Sequence, residues 1–284
     1  MLFGSPWGWS RMSSNLPLYA NTGTPTNNYG TNFTINANST KGTTVSLIAN
    51  LQHDVHYLTI GINGTGLSTA DCNALIDIMV DPAGGTSWSN GFIDNLCAGS
   101  VVTSIASNPS FQWYHFPIWI KSGTSLGIRG QTRHTANLTT VRAILVVYGE
   151  PSRPEMWWCG QKVETIGANT AASKGINITP GNSSAWGNWA NATASSYNYG
   201  AVQFGLNATD SSTTAVNYFF QFGIDNLQLP GSQTYYGGGS TAELMGKNAT
   251  TIIPCNTPAN TVFQCRGTAS GTAEIHNYCV YGVY

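Results

Sequence analysis

Apolar and polar residues alternate along much of this chain with a period of two. Leu58, Ile60 and Ile62 interleave with Tyr57, Thr59 and Gly61, and the run Arg142 to Tyr148 is rich in Val, Ile and Leu. Such alternation places every second side chain on one face of a half-buried strand. Clusters of turn formers separate these runs: Asp81-Pro82-Ala83-Gly84-Gly85, Lys121-Ser122-Gly123-Thr124, Asn63-Gly64 and Gly237-Gly238-Gly239. No stretch sustains a helical period. Short strands closed by turns predict an all-β chain, and an antiparallel β-sandwich of the jelly-roll kind fits them best.

The strand pattern repeats. Val55 to Asp81 aligns without a gap on Tyr199 to Asp225, an offset of 144 residues, with seven of 27 positions identical. The identities are Gly61/Gly205, Asn63/Asn207, Thr65/Thr209, Ser68/Ser212, Thr69/Thr213, Asn73/Asn217 and Asp81/Asp225. A second match pairs Pro117, Thr124, Arg129 and Gly130 with Pro254, Thr261, Arg266 and Gly267, and a third pairs Val147-Tyr148-Gly149 with Val280-Tyr281-Gly282. Three matches in one order predict two tandem sandwiches related by internal duplication. The expected organisation is an N-terminal arm over 1–23, a first sandwich over 24–153 and a second over 154–284, with the boundary at the prolines of Glu150 to Glu155. The linker is short, so a fixed relation between the two is expected.

Composition narrows the function classes. Of the 284 residues only 8% are charged, against about 25% in an average protein, so the polar surface must be built from neutral hydrogen-bonding groups. Nine Trp, thirteen Tyr and ten Phe supply material for cores, which a disordered chain lacks. The net charge is -1 and the 11 Lys and Arg are scattered, which argues against nucleic-acid binding. No apolar run is long enough to span a bilayer, so no membrane insertion is expected, and the start Met1-Leu2-Phe3-Gly4-Ser5 does not resemble a signal peptide.

Candidate chemistry is sparse. No nucleophile elbow, phosphate loop or zinc-protease motif occurs, so the expectation is a protein that is not an enzyme and needs no cofactor. A glycosidase needs two carboxylates about 5 to 9.5 Å apart in one cleft, whereas Asp81 and Asp225 are equivalents in separate halves. Each is expected either to pair with the Arg of its own half, Arg129 or Arg266, or to cap a local turn. His53-Asp54-Val55-His56 has a chelating look, but on a strand positions three apart face opposite sides, so no metal is expected. Of the six cysteines, Cys265 and Cys279 align with the core positions Ile128 and Val146; the alternatives are buried thiols or disulfides, Cys72 with Cys97 and Cys265 with Cys279. Trp88 and the pair Tyr235-Tyr236, placed in equivalent loops, are candidates for stacking on a glycan or a partner. Trp7 and Trp9 of the arm need a surface to pack on.

One further signal is a resemblance. Ile76-Asp77-Ile78-Met79-Val80-Asp81-Pro82-Ala83-Gly84-Gly85-Thr86-Ser87, Phe116-Pro117-Ile118-Trp119-Ile120-Lys121-Ser122-Gly123-Thr124 and Val147-Tyr148-Gly149-Glu150-Pro151-Ser152-Arg153-Pro154 resemble tailed-bacteriophage virion structural proteins with tandem β-sandwich domains. The resemblance implies a component of the virion surface, a capsid decoration (cement) protein or a tail-associated part. Its implied partners are the major capsid protein or tail proteins, and itself as a homo-oligomer. The alternative is a tail fibre or receptor-binding component that binds host surface glycans.

Overall fold

The computed structural model describes residues 18–20, 30–63, 74–88, 91–98, 112–132, 138–148, 159–168, 175–207, 216–237, 250, 252–272 and 275–284. All regular structure among them is β. In chain order the strands are β1 (Leu18–Ala20), β2 (Thr31–Asn36), β3 (Val45–Ile48), β4 (Tyr57–Asn63), β5 (Ala74–Asp81), β6 (Ile93–Ala98), β7 (Gln112–Phe116), β8 (Ser125–Thr132) and β9 (Leu138–Tyr148). They continue with β10 (Val163–Ile166), β11 (Ile176–Ile178), β12 (Ala190–Asn191), β13 (Tyr199–Asn207), β14 (Asn217–Ile224), β15 (Leu227–Gly237), β16 (Ile253–Thr257), β17 (Phe263–Ala269) and β18 (His276–Val283).

The first nine strands form one curled sheet. Its two walls are β2-β9-β4-β7, with β1 added on β9, and β3-β8-β5-β6. A short parallel pairing, Ile35 with Gly130 and Asn36 with Gln131, joins β2 to β8 and bends one wall into the other. The remaining strands form a five-stranded sheet, β10-β18-β13-β16 with β11 also on β18, and a four-stranded sheet, β12-β17-β14-β15. In both halves the strand order is that of a jelly roll, two interlocked Greek keys.

Alternation builds each core. In the first half Leu58, Ile60 and Ile62 point inward with Ile76, Ile78, Leu126 and Ile128, all buried. In the second, the interior is aromatic: Phe204 stacks on Phe222 at 4.3 Å between ring centroids, and Phe263 meets both Phe204 and Tyr199. Each such side chain, fully removed from water, contributes about 1.5–3 kcal/mol.

β18 departs from simple alternation because every residue in it is buried. Tyr278 and Val280 face the second core, while Cys279, Tyr281 and Val283 belong to the first. The second sandwich therefore lays the outer face of its β18 and β13 against β6 and the wall behind it. The Tyr281 hydroxyl accepts from Cys97 N at 2.7 Å and donates to Asn95 O at 3.1 Å, so it replaces water for two backbone groups of β6. Beside it Gly205 is required: a Cβ there would lie 2.6 Å from the Tyr114 hydroxyl and 3.0 Å from the Tyr281 ring. Gln203, buried, accepts from His115 N at 2.8 Å, and Asn95 donates to Ala168 O at 3.0 Å. These contacts join the two halves.

Tyr281→Phe keeps the ring and removes the bridge between Cys97 N and Asn95 O. We expect a loss of about 1–3 kcal/mol in denaturant unfolding, since two buried backbone groups are left unpaired. A loss below a few tenths of that would show the hydroxyl to be dispensable.

Candidate binding face

Asp81 is buried and caps the turn that follows it, accepting from Ala83 N at 3.0 Å and Ser87 N at 2.8 Å. The turn-capping alternative thus holds for Asp81, and the proposed ion pair with Arg129 does not. Register explains this: Asp81 lies opposite Ser125, and Arg129 lies opposite Asp77, about 13 Å further along the strand at the usual rise. Asp225 also differs from expectation. It occupies, with Asn226, a two-residue hairpin between β14 and β15, both with positive φ (51° and 61°), the mirror-image turn that matches strand twist. Arg266 pairs with Gln221 instead, Nε and Nη2 reaching Oε1 at 3.1 and 2.9 Å.

Asp77, missed by the sequence reading, organises the outward face of the first half. Its Oδ2 takes Lys41 Nζ at 2.6 Å and Arg129 Nε at 2.8 Å, and its Oδ1 accepts from Asn95 N at 3.0 Å. Asp94 lies 3.7 Å from the same Lys41. Burial, and then the negative charge of Asp77, raise the Asp94 carboxyl above its ordinary range despite that lysine.

The remaining sequence candidates fall as follows. Trp88 is half-buried and lies over Gly127, where a Cβ would meet its ring at 3.0 Å, so it covers the sheet beside the Asp81 turn. Tyr235 and Tyr236 belong to strand β15 rather than to a loop. The segment His53 to His56 is a loop leading into β4, not a strand as supposed, and Asp54 is engaged by Ser122 N at 2.7 Å. Cys265 and Cys279 are free thiols, which overturns a disulfide between them; Cys97 is free as well. Cys279 instead lies against Cys97 across the contact between the halves, and that neighbouring thiol together with burial pushes its thiol well up. Trp7, Trp9 and Cys72 lie outside the described residues.

Among the described residues, exposed aromatic rings gather on the outer face of β12-β17-β14-β15. Along β14, Tyr218, Phe220 and Phe222 face the core, which leaves Phe219, Gln221 and Gly223 outward. Register sets Tyr235 opposite Phe219 and Gln233 opposite Gln221 on β15, with Thr268 and Arg266 on the other side on β17. A loop adds two tryptophans. It is tied down because Gly267 O accepts from both Gly181 N (3.0 Å) and Gly187 N (2.9 Å). Trp186 thereby meets Phe219 edge-on at 5.9 Å, and the Arg266 guanidinium lies over Trp186 and Trp189, at 4.8 and 4.5 Å from their centroids. Cation–π contact holds both indoles at the sheet surface. Tyr235 and Trp186 remain 56% and 40% exposed, large for rings on a sheet. The sequence reading missed Trp186; the Trp186-Gly187-Asn188-Trp189 run was the available signal.

No family model and no curated protein matches this chain. Solved structures do, weakly. One is PNGF-II, at 8% identity and a TM-score of 0.36 over 89% of this chain, which spans 64% of that one. Another is the Cowpea mosaic virus top component, at 10% identity and a TM-score of 0.32, covering 81% of this chain and 77% of that one. A third is the major capsid protein P2 of bacteriophage PM2, at 8% identity and a TM-score of 0.30, covering 89% and 97%. The fold assignment rests on the strand order described above.

Two outcomes test these assignments. Because folding raises the Asp94 pKa, stability is lost as pH rises from the usual carboxylate range through the folded value. Asp94→Asn should therefore melt higher than the parent at pH 7, with the gap closing below about pH 4; a lower melting point at pH 7 would make the Lys41 attraction dominant. Thr268 Oγ1 is a buried side-chain oxygen without a hydrogen-bond partner. Thr268→Val should gain about 1 kcal/mol by removing that unmet demand, measured by urea unfolding.

Proposed function

We propose that this chain is a non-enzymatic structural component of a virus particle, displayed on its outside, and that it acts as a capsid decoration protein through contacts with the major capsid protein and with copies of itself. The observation that carries this reading is the union of two jelly rolls through β18, with Cys279, Tyr281 and Val283 buried in the neighbouring half. A chain joined in this way resists bending between its halves, which suits a part that must hold a fixed position on a shell. The neutral, amide-rich composition of the surface suits subunit contacts built from hydrogen bonds rather than ion pairs.

A non-enzymatic role is supported by how the acids are employed. Asp77 holds two cations and a backbone amide, Asp81 caps a turn, and Glu164 accepts from Ser196 N and the Tyr199 hydroxyl. The recurrence of one strand order in both halves, with Arg129 opposite Asp77 and Arg266 opposite Gln221, supports an origin by duplication.

Cryo-electron microscopy of purified particles, with the chain located by docking this structure, tests the role. Many copies over the head lattice are expected. A few copies confined to the tail would replace decoration with a tail or fibre role, and absence from the particle would overturn the reading altogether.

A further inference from the structure

We infer that the outer face of β12-β17-β14-β15 is a binding platform for a neutral oligosaccharide, with Trp186, Phe219 and Tyr235 as its stacking row and Gln233 as its hydrogen-bonding partner. The inference rests on the sheet itself and is independent of where on a particle the chain stands.

The row is continuous. Trp186 contacts Phe219 at 5.9 Å, and Phe219 faces Tyr235 directly across the β14/β15 ladder, a relation that sets Cβ atoms about 4.5–5.5 Å apart. Three rings in line across a sheet offer an apolar strip to a ligand that itself has flat apolar faces at regular intervals. A pyranose meets that description: its C–H groups form a face that packs on an aromatic ring, while its hydroxyls project from the edge. The row is long enough to favour several linked sugars over one.

Charge selects among ligands. The four strands contain no Asp or Glu, and the cation Arg266 is engaged by Gln221 and lies against the two indoles. A basic peptide would find no carboxylate in these strands, and the guanidinium, although it keeps its positive charge, already has Nε and Nη2 bonded to the neutral amide of Gln221 and lies against the indoles. What remains next to the row is the exposed amide of Gln233, which both donates and accepts and so suits hydroxyl groups. Tyr235 and Trp186 pay little conformational entropy on binding because their strand, and the loop bonded to Gly267, already hold them.

Affinity electrophoresis of the full chain in gels containing neutral polysaccharides (a xylan, a mannan, a β-glucan, an α-glucan) tests the inference, with a sulfated polysaccharide as the charged control. Retardation by at least one neutral polysaccharide is expected, weakened about tenfold or more by Tyr235→Ala and by Trp186→Ala. Trp119→Ala, an exposed indole elsewhere, should leave it unchanged. Tyr235 is the decisive position because its exposed ring carries little of the core, and thermal melting checks that the variant is folded. Three results would overturn the proposal: no retardation by any neutral polysaccharide, equal weakening by Trp119→Ala, or retardation only by the sulfated polymer. A shift in sedimentation on Tyr235→Ala, without any retardation of the parent, would assign the face to a second copy of this chain instead.

Discussion

β18 has no solvent face, and the rest of the structure follows from that constraint. A strand buried on both sides must be apolar at every position or satisfy each polar group, and Tyr278 to Val283 does both. Even-numbered residues complete the second core, while Cys279, Tyr281 and Val283 close the first. The Tyr281 hydroxyl then has to find partners inside protein, and the β6 bulge at Asn95, with its positive φ of 57°, presents the Asn95 carbonyl and Cys97 amide to it. Neither half buries this surface alone. A pair sharing this buried surface is expected to unfold together, which two beads on a short linker would not.

The same outward sheet has been used differently in the two halves. In the first, Asp77 opposite Arg129 makes an ion pair that Lys41 and the β6 amide complete, so the face is charged and occupied. In the second, the corresponding position is Gln221, and the arginine opposite it has no acid to satisfy. Its guanidinium turns to an amide oxygen and two indoles, which fixes Trp186 and Trp189 on the sheet and leaves the face without an internal ion pair. One exchange, carboxylate for amide, separates an internally paired face from one able to receive a ligand.

How much of this was legible depends on what each feature needs. Alternation at Leu58, Ile60 and Ile62 requires only local sequence, and it marked the strands and the all-β class. The conserved spacing between Asp81 and Asp225 marked equivalent strand ends, although one ends in an Asp-capped turn and the other in a mirror-image hairpin. The partner of Arg129 was not legible, because cross-strand pairing depends on register between strands some fifty residues apart, here a separation of 52. Tyr235 was assigned to a loop by equivalence with the loop that carries Trp88, whereas β15 runs on to Gly237. Burial of Cys279 was inferred correctly from its match to Val146, but for an incomplete reason: Val146 is only half-buried in its own half, and Cys279 is covered by the neighbour.

That last difference bears on the two thiols. Cys265 and Cys279 were read first as small buried hydrophobes, with a disulfide between them as the secondary alternative, because both align with core strands of one sandwich, yet odd and even positions of β18 face opposite ways. Cys265 points into the second core with Tyr278 and Val280, and Cys279 points out of it toward Cys97. A disulfide between Cys265 and Cys279 would have to pass through the sheet, which strand geometry forbids. The alternation that identified the strands therefore also decides the cysteine chemistry: adjacent in sequence logic, the two thiols belong to different cores, and only the contact between the halves gives Cys279 a neighbour.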